Sequence, residues 1–482
     1  MITVQADDLV RILPQMVLSA FAILVMVFEP FLPPQRKTLL GWFSLFGVIA
    51  AGAATVRTSF SLGLAFGGSV SADRFSLFFV FLFLLIAALV LLGSFNYLER
   101  EHINHGEFYA LLLMGTVGMC FMAASAELVM IFLGLEISSL ATYILAGFKR
   151  HDALSNEAAL KYFLLGSFAT AFFLYGIAFV YGLTGTTNLL ALSERLTKAS
   201  SWSPLACVAL ILMFVGLAFK VSTVPFHVWT PDVYQGAPAP VTAFLSVGPK
   251  AAAFAVFFRV FLGAFASAGS VAFWVIWSSA LLTMCLGNLA ALLQSNVKRM
   301  LAYSAIAHAG YVLVGMAAGP KEGTATVLFY LTVYALMNVG AFVLVAHLAG
   351  TGERWTCIED YTGLGYERPG VAACLAVFML SLAGFPTTAG FFAKFYVFRA
   401  AIHSHLIGLT LVAVLTSVIS VYYYFRLIVV MYMREGKTPA CSGPLPWALR
   451  VALAVSVVGI FYLGLYPGGF LQLANLAALP LP

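Results

Sequence analysis

Fourteen apolar stretches, most of them near twenty residues long, follow one another along the chain with short polar connections between them. A helix needs about 20 apolar residues to cross a hydrocarbon core of about 30 Å. In that solvent every backbone N–H and C=O must be satisfied without water, and a helix does this within a single segment. The pattern predicts an all-α polytopic membrane protein with spans near 9–30, 38–56, 75–95, 108–124, 126–148, 158–183, 204–233, 238–262, 271–294, 301–318, 325–349, 371–402, 406–433 and 447–467. Charged residues occupy 9% of the 482 positions, against about 25% in soluble domains. No stretch is polar enough for a domain in water. Asp7 and Asp8 stand where a signal peptide would carry basic residues, so the first stretch reads as a retained helix.

Lys and Arg gather on the cytoplasmic side of a membrane. With the N-terminus outside, the inner connections hold Arg36, Lys37, Arg100, Lys149, Arg150, Lys298, Arg299, Arg354, Arg368, Arg434 and Lys437. The outer ones hold Arg11, Arg57, Arg74, Arg195, Lys198 and Lys321. The excess places both termini outside. The net charge of +6 then follows from topology, and nucleic acid is not an expected partner.

Cys120, Cys207, Cys285, Cys357, Cys374 and Cys441 form no Cys-x-x-Cys pair, so neither an iron–sulfur site nor a disulfide frame is expected; they read as small core residues. His227, His308 and His347 are single, without the facing pairs of a bis-histidyl haem, and no metal site is expected. His102 and His105 fall in an inner connection and read as a solvated pair. The 43 phenylalanines read as packing and lipid-facing residues.

Against this background the buried charges stand out. Lys220 lies within the seventh span, and Pro225 follows as the expected breaker in GLAFKVSTVPFHVW. A Lys near the bilayer centre costs roughly 2.5–3.5 kcal/mol on insertion scales. A break there is tolerated only where protein or water satisfies the freed backbone groups. A charge kept at such a break points to proton movement. Pro386 and Lys394 repeat the combination in the twelfth span, LSLAGFPTTAGFFAKFY. With spans four to eight as one five-helix unit and nine to thirteen as another, the odd number turns the second unit upside down, the inverted-repeat plan of transporters with broken helices at the site. The expected organisation is 1–107 for three N-terminal spans, 108–262 for a first half-channel, 271–433 for a second, inverted one, and 434–482 for the last span.

Glu136, in IFLGLEISSLATYILAGF, has no charged neighbour in sequence and must find a basic partner or keep its proton. It reads as functional. Lys250 follows Pro249 and is flanked by Ala251–Ala253, which leave room around an ammonium, and it reads as a proton relay. His308 suits a relay and a hydrogen-bonded core histidine equally. Arg259 and Arg399 near outer helix ends, and Arg426 near an inner one, read as side chains that snorkel to the headgroups.

LGLEISSLATYILAGF with KYFLLGS, GLAFKVSTVPFHVWTPDVYQGAPAPVTAF, VGPKAAAF, KRMLAYSAIAHAGY and LAGFPTTAGFFAKF together resemble the antiporter-like membrane subunits of bacterial respiratory complex I, the NADH:quinone oxidoreductase. The resemblance runs through essentially the whole chain. PDVYQGAPAPVTAF followed by VGPK sets the subunit N type apart from its L and M relatives and from Mrp-type cation/proton antiporters. It implies a fourteen-helix fold with two inverted half-channels meeting at a central polar axis. Glu136 then matches the glutamate of helix five, Lys220 the lysine of broken helix seven, Lys250 that of helix eight, Lys394 that of broken helix twelve, and His308 a central-axis histidine.

The implied function is proton translocation in the bacterial inner membrane, with Glu136 ionised beside Lys220 and the proton passing to Lys250 and Lys394. No cofactor is expected in this chain; FMN, iron–sulfur clusters and quinone belong to other subunits. The implied partners are other complex I membrane subunits, among them the M-type antiporter-like subunit and the small K-type subunit, and the lipid bilayer. A cation/proton antiporter of the Mrp type and a non-pumping scaffold are the alternative readings.

Overall fold

The computed structural model describes residues 5–198, 203–436 and 443–478. Lys437, Cys441 and the Lys198 side chain lie outside the described residues. The helices that form the spans and their interrupted halves are, in chain order, α1 (Leu13–Phe28), α2 (Thr38–Thr58), α3 (Arg74–Arg100), α4 (Gly106–Ala124), α5 (Leu128–Ala146), α6 (Ala153–Thr184), α7 (Pro204–Val221), α8 (Trp229–Gly236), α9 (Ala239–Phe257), α10 (Ser270–Leu292), α11 (Val297–Ala317), α12 (Gly319–Leu348), α13 (Pro369–Ala383), α14 (Ala389–His403), α15 (Ile407–Met433) and α16 (Trp447–Leu465). Among the described residues thirteen helices are long and apolar enough to cross a membrane, and α13 with α14 supplies the remaining broken span. The chain is a multi-pass membrane protein.

Burial sorts these helices into a centre and a rim. Every residue of α9 is buried, and α12 is buried from Gly323 to Leu348. By contrast α6 and α15 expose Leu160, Phe168, Leu415 and Val418 along their outer faces, as helices against lipid do. Small residues set the closest contacts. A Cβ on Gly118 of α4 would lie 2.5 Å from the Ser138 amide of α5, so only glycine lets these two backbones meet.

The two interrupted spans end their first halves in the same way. At the end of α7, Ser222 adopts a left-handed conformation (φ 62°), its N–H donates to the Phe219 carbonyl, and the Thr223 N–H donates to that of Ala218. At the end of α13, Gly384 (φ 88°) donates to Ser381 and Phe385 to Leu380. Both are Schellman turns, which satisfy carbonyls that the helix end leaves without partners. Pro225, the breaker expected from the sequence, lies three residues beyond the left-handed residue and is not where the helix stops. A left-handed residue with a side chain costs roughly 1–2 kcal/mol, and the Ser222 hydroxyl makes no hydrogen bond in return. Ser222→Gly is therefore expected to leave the heat stability of the assembled protein unchanged or raised. Ser222→Val, with a β-branched side chain at positive φ, is expected to lower it. Equal inactivation temperatures for Val and Gly would show that this turn does not fix the break.

A buried ion network ties one end of the molecule together. Lys298 Nζ donates to Glu353 Oε2 at 2.6 Å and to the Ala237 carbonyl at 2.7 Å. Glu353 Oε1 accepts from the Ala239 N–H at 2.9 Å and from the Tyr97 hydroxyl. Lys149 lies 2.9 Å from Glu101 and 3.8 Å from Glu353. Burial alone would raise the Glu353 carboxyl, but Lys298 and Lys149 outweigh it and hold the group below its ordinary value. The sequence placed Lys298 in an inner connection; it lies in the first turn of α11 and is 1% exposed. Arg259 also departs from expectation. It does not snorkel but donates to both carboxylate oxygens of Asp73, at 2.8 and 2.9 Å, and to the Ala123 carbonyl at 2.7 Å. Of the described cysteines Cys120 is buried, whereas Cys357 is exposed in a loop and is no core residue.

Candidate functional site

Lys220, Lys250 and Lys394 are 4, 3 and 5% exposed. The lysine ion pairs among the described residues belong to Lys37, Lys149, Lys161 and Lys298, so these three ammonium positions have no carboxylate partner. Their contacts are rings, hydroxyls and helix-end carbonyls. A cation desolvated over an aromatic face gains up to about 2 kcal/mol or more, which offsets part of the cost of burial.

Lys220, in the last turn of α7, donates to the Tyr143 hydroxyl at 3.3 Å and sits 4.9 Å from the Tyr143 ring centroid and 5.3 Å from that of Tyr162. Tyr162 stacks on Trp229 of α8 at 4.5 Å, and the Trp229 indole N–H donates to the Phe219 carbonyl at 3.1 Å. The second half of the broken span is thus pinned across the break to the end of the first. A cavity of about 10 Å³, close to the space of one water, lies between Lys220, Ser138, Ser139, Thr142, Tyr162 and Pro249. Its wall includes Pro249, the residue before Lys250.

Lys250 owes its setting to the proline before it. Pro249 inside α9 has no N–H, which leaves the Leu245 carbonyl without its helical donor. The Tyr234 hydroxyl fills that position at 3.3 Å, and the ring of Tyr234 lies 5.6 Å beneath the Lys250 ammonium. Lys250 donates to the Ala305 carbonyl of α11 at 3.1 Å. A second cavity of about 10 Å³ is lined by Lys250, His308, Tyr330 and Tyr334.

His308 is bonded at both ring nitrogens, with Nδ1 2.6 Å from the Tyr330 hydroxyl and Nε2 3.2 Å from that of Tyr424. It is a core histidine and a suitable relay at once, because an imidazole that takes a proton on one nitrogen can release one from the other. Tyr424 also bonds Ser304 and lies beside Tyr423, with ring centroids 4.4 Å apart. Tyr423 donates to Asn288 Oδ1 at 3.1 Å, and Asn288 Nδ2 donates to the Tyr311 hydroxyl at 3.0 Å. The Tyr311 ring lies 5.3 Å from the Lys394 ammonium.

Lys394, in α14, reaches back across the second break. It donates to the Ala383 carbonyl at the end of α13 and to the Ser417 hydroxyl, both at 2.9 Å. A cation at a helix C-terminus is favoured by the helix dipole. The structure therefore brings Lys250, His308 and Lys394 into one buried polar line, and Lys220 borders a separate cavity whose wall includes Pro249.

Glu136 stands apart. The sequence reading set it beside Lys220, but no ion pair joins them among the described residues, and Oε1 of Glu136 is buried without a hydrogen-bond partner. Tyr143 takes the place expected for the carboxylate. Tyr143 lies seven positions beyond Glu136 on α5, about 10 Å along the helix. Tyr143, Asn288, Tyr311, Tyr330, Tyr334, Tyr423 and Tyr424 were not singled out in the sequence. The only signal they give is a hydroxyl or amide inside an apolar span, and many such residues have purely structural roles.

The sequence model of the family described as NADH:quinone oxidoreductase/Mrp antiporter, TM, matches residues 125–420. NADH-quinone oxidoreductase subunit N 1 of Solibacter usitatus (strain Ellin6076) is 48% identical over 473 residues, covering 98% of this chain and 97% of its own length. NADH-quinone oxidoreductase subunit N 2 of Koribacter versatilis (strain Ellin345) is 49% identical over 475 residues, covering 97% and 96%. A chain of respiratory complex I from Thermus thermophilus, solved with bound aureothin, superposes with a TM-score of 0.81 at 36% identity, over 96% of this chain and 99% of that one.

Proposed function

Because the chain belongs to the NADH:quinone oxidoreductase/Mrp antiporter family, among the subunits N of NADH-quinone oxidoreductase, we propose that it translocates protons in the membrane arm of that enzyme. The observation that carries the reading is the set of three buried lysines, none paired with a carboxylate, of which Lys250 and Lys394 are bridged by histidine, tyrosine and asparagine side chains. A lysine held by rings and carbonyls can exchange its proton without breaking a buried ion pair. Leucine or alanine at these positions would fold at lower cost, which favours a transport role over a scaffold. The identity to subunits N supports drive by electron transfer over exchange against another cation.

In this proposal an ionised Glu136 stabilises the Lys220 ammonium, and a shift that weakens its influence releases the proton towards Lys250. From Lys250 it passes by His308 and the tyrosines to Lys394. The two interrupted spans belong to two five-helix halves of inverted orientation. The chain lies in the bacterial inner membrane with both termini outside, beside the M-type and K-type subunits. FMN, iron–sulfur clusters and quinone reside in other subunits, and oxidation of NADH there supplies the energy, since each charge moved costs about 2.3 kcal/mol per 100 mV.

Lys250→Met tests this reading. The methionine keeps the length and apolar stem of the lysine and removes the exchangeable proton. In assembled complexes proton uptake and NADH:quinone activity are both expected to fall about tenfold or more, the scale of losing a proton-transfer group. Wild-type rates of both would remove Lys250 from the path.

A further inference from the structure

Charged side chains join the ends of three spans. Glu29 follows α1 directly, Lys37 precedes α2, and His105 and Glu107 flank Gly106, the first residue of α4. Glu29 Oε2 accepts from the Gly106 N–H at 3.0 Å, and a Cβ at position 106 would lie 2.6 Å from that oxygen, so glycine is what lets the carboxylate reach the helix end. Ligand-type atoms of Glu29, His105 and Glu107 lie within 4.8 Å of one another. The Lys37 ammonium sits on this group, bonded to Glu29 Oε1 and 3.5 Å from His105 Nδ1. Glu107 has no share in that pairing. It makes no ion pair among the described residues, and its Oε2 is buried without a hydrogen-bond partner.

Two carboxylates and one ammonium leave the cluster one positive charge short, and a buried carboxylate oxygen without a donor is costly. An imidazole and two carboxylates suit a divalent transition metal such as zinc, bound at about 2.0–2.2 Å with a water in the fourth position. The donors of a tetrahedral ion stand about 3.3 Å apart, so side-chain rotation within the present group closes it on one. We propose that Glu29, His105 and Glu107 form a site for such an ion, and that the Lys37 ammonium competes with the ion for it. His105, read from the sequence as one of a solvated pair, is exposed and leaves the site open to ions in solution. A bound ion ties the end of α1 to the start of α4. The site shares no residue with the lysine line and does not depend on proton transport.

The test uses assembled complex dialysed against buffered free zinc, with bound metal counted by atomic emission and NADH:quinone activity confirming intact protein. His105→Asn and Glu107→Gln are each expected to weaken uptake of one zinc ion per complex by about tenfold or more, the loss that a missing partner in a metal site brings. Lys37→Gln is expected to tighten uptake of the same ion by about tenfold, because a like charge about 4 Å from it is removed. Damage to the fold would not tighten binding. Where Lys37 holds the wild-type site against zinc, Lys37→Gln takes up one ion more than wild type, and adding His105→Asn to it abolishes the gain. Zinc is also expected to raise the temperature at which the Lys37→Gln complex loses assembly, since an ion held by the folded form stabilises it. Wild-type uptake in His105→Asn and Glu107→Gln, with no gain in Lys37→Gln, would overturn the site. Uptake weakened in the two ligand variants but not tightened in Lys37→Gln would overturn the competition with Lys37.

Discussion

Lys394→Ala is expected to lower proton translocation and NADH:quinone activity together, each by about tenfold or more, in complexes that still assemble. The lysine is the last basic group on the line, and it is held by two bonds, to the Ala383 carbonyl and the Ser417 hydroxyl. Losing it leaves a buried carbonyl with fewer donors, at about 1–3 kcal/mol, which a chain packed over this many helices tolerates. Nothing at Lys220 or at the redox subunits is altered. A tightly coupled machine must then stall its electron flow as well, whereas a side channel would lose protons and keep oxidising NADH. Native gels check assembly, and paired rates in one vesicle preparation check the coupling. Full rates of both would show that protons do not pass Lys394.

Glu353→Ala is expected to destabilise the protein more than any substitution on the lysine line. Breaking one side of a buried ion pair costs about 3–5 kcal/mol, because the other charge stays buried. Here it strands Lys298, which is 1% exposed, and removes acceptors from the Ala239 N–H and the Tyr97 hydroxyl. The measurement is the temperature at which detergent-solubilised complex loses assembly. Glu353→Gln, which keeps two of the neutral bonds, is expected to fall between Ala and wild type. The pH dependence has a fixed sign. Lys298 and Lys149 hold the folded-state carboxyl below its ordinary value against the effect of burial, so its stabilisation is present above that ordinary value and fades as pH falls through the folded one. The gap between wild type and Glu353→Ala should therefore be full at neutral pH and shrink in acid. An equal melting temperature for Glu353→Ala at neutral pH would show that the network does not hold this end together.

The spans were legible because hydrocarbon thickness fixes their length, and the lysines because a charge inside an apolar run is too costly to be incidental. What decides each lysine's surroundings was not legible. Asn288 meets Tyr423 across 135 positions and Lys220 meets Tyr143 across 77, and no local pattern announces a pairing at such range. The same holds for Lys298, which reads as a topology marker until Glu353 folds onto it. At the seventh span the stronger local signal misled. Proline is the usual breaker, but the chain turns at Ser222, whose left-handed conformation a sequence does not advertise. Glu136 reads as a carboxylate in need of a partner, but its Oε1 has none, and Lys220, the partner assigned to it, bonds a tyrosine instead.

The most direct measurement is proton uptake by sealed vesicles carrying the assembled complex, driven by NADH and a quinone in sodium-free buffer, with wild type beside Lys220→Met. Wild type is expected to move protons without sodium and only while NADH is oxidised, and Lys220→Met to lose uptake and oxidation in parallel. Unchanged uptake in Lys220→Met, or wild-type uptake that needs a sodium gradient and ignores NADH, would contradict a proton path that runs through this chain and is driven by electron transfer.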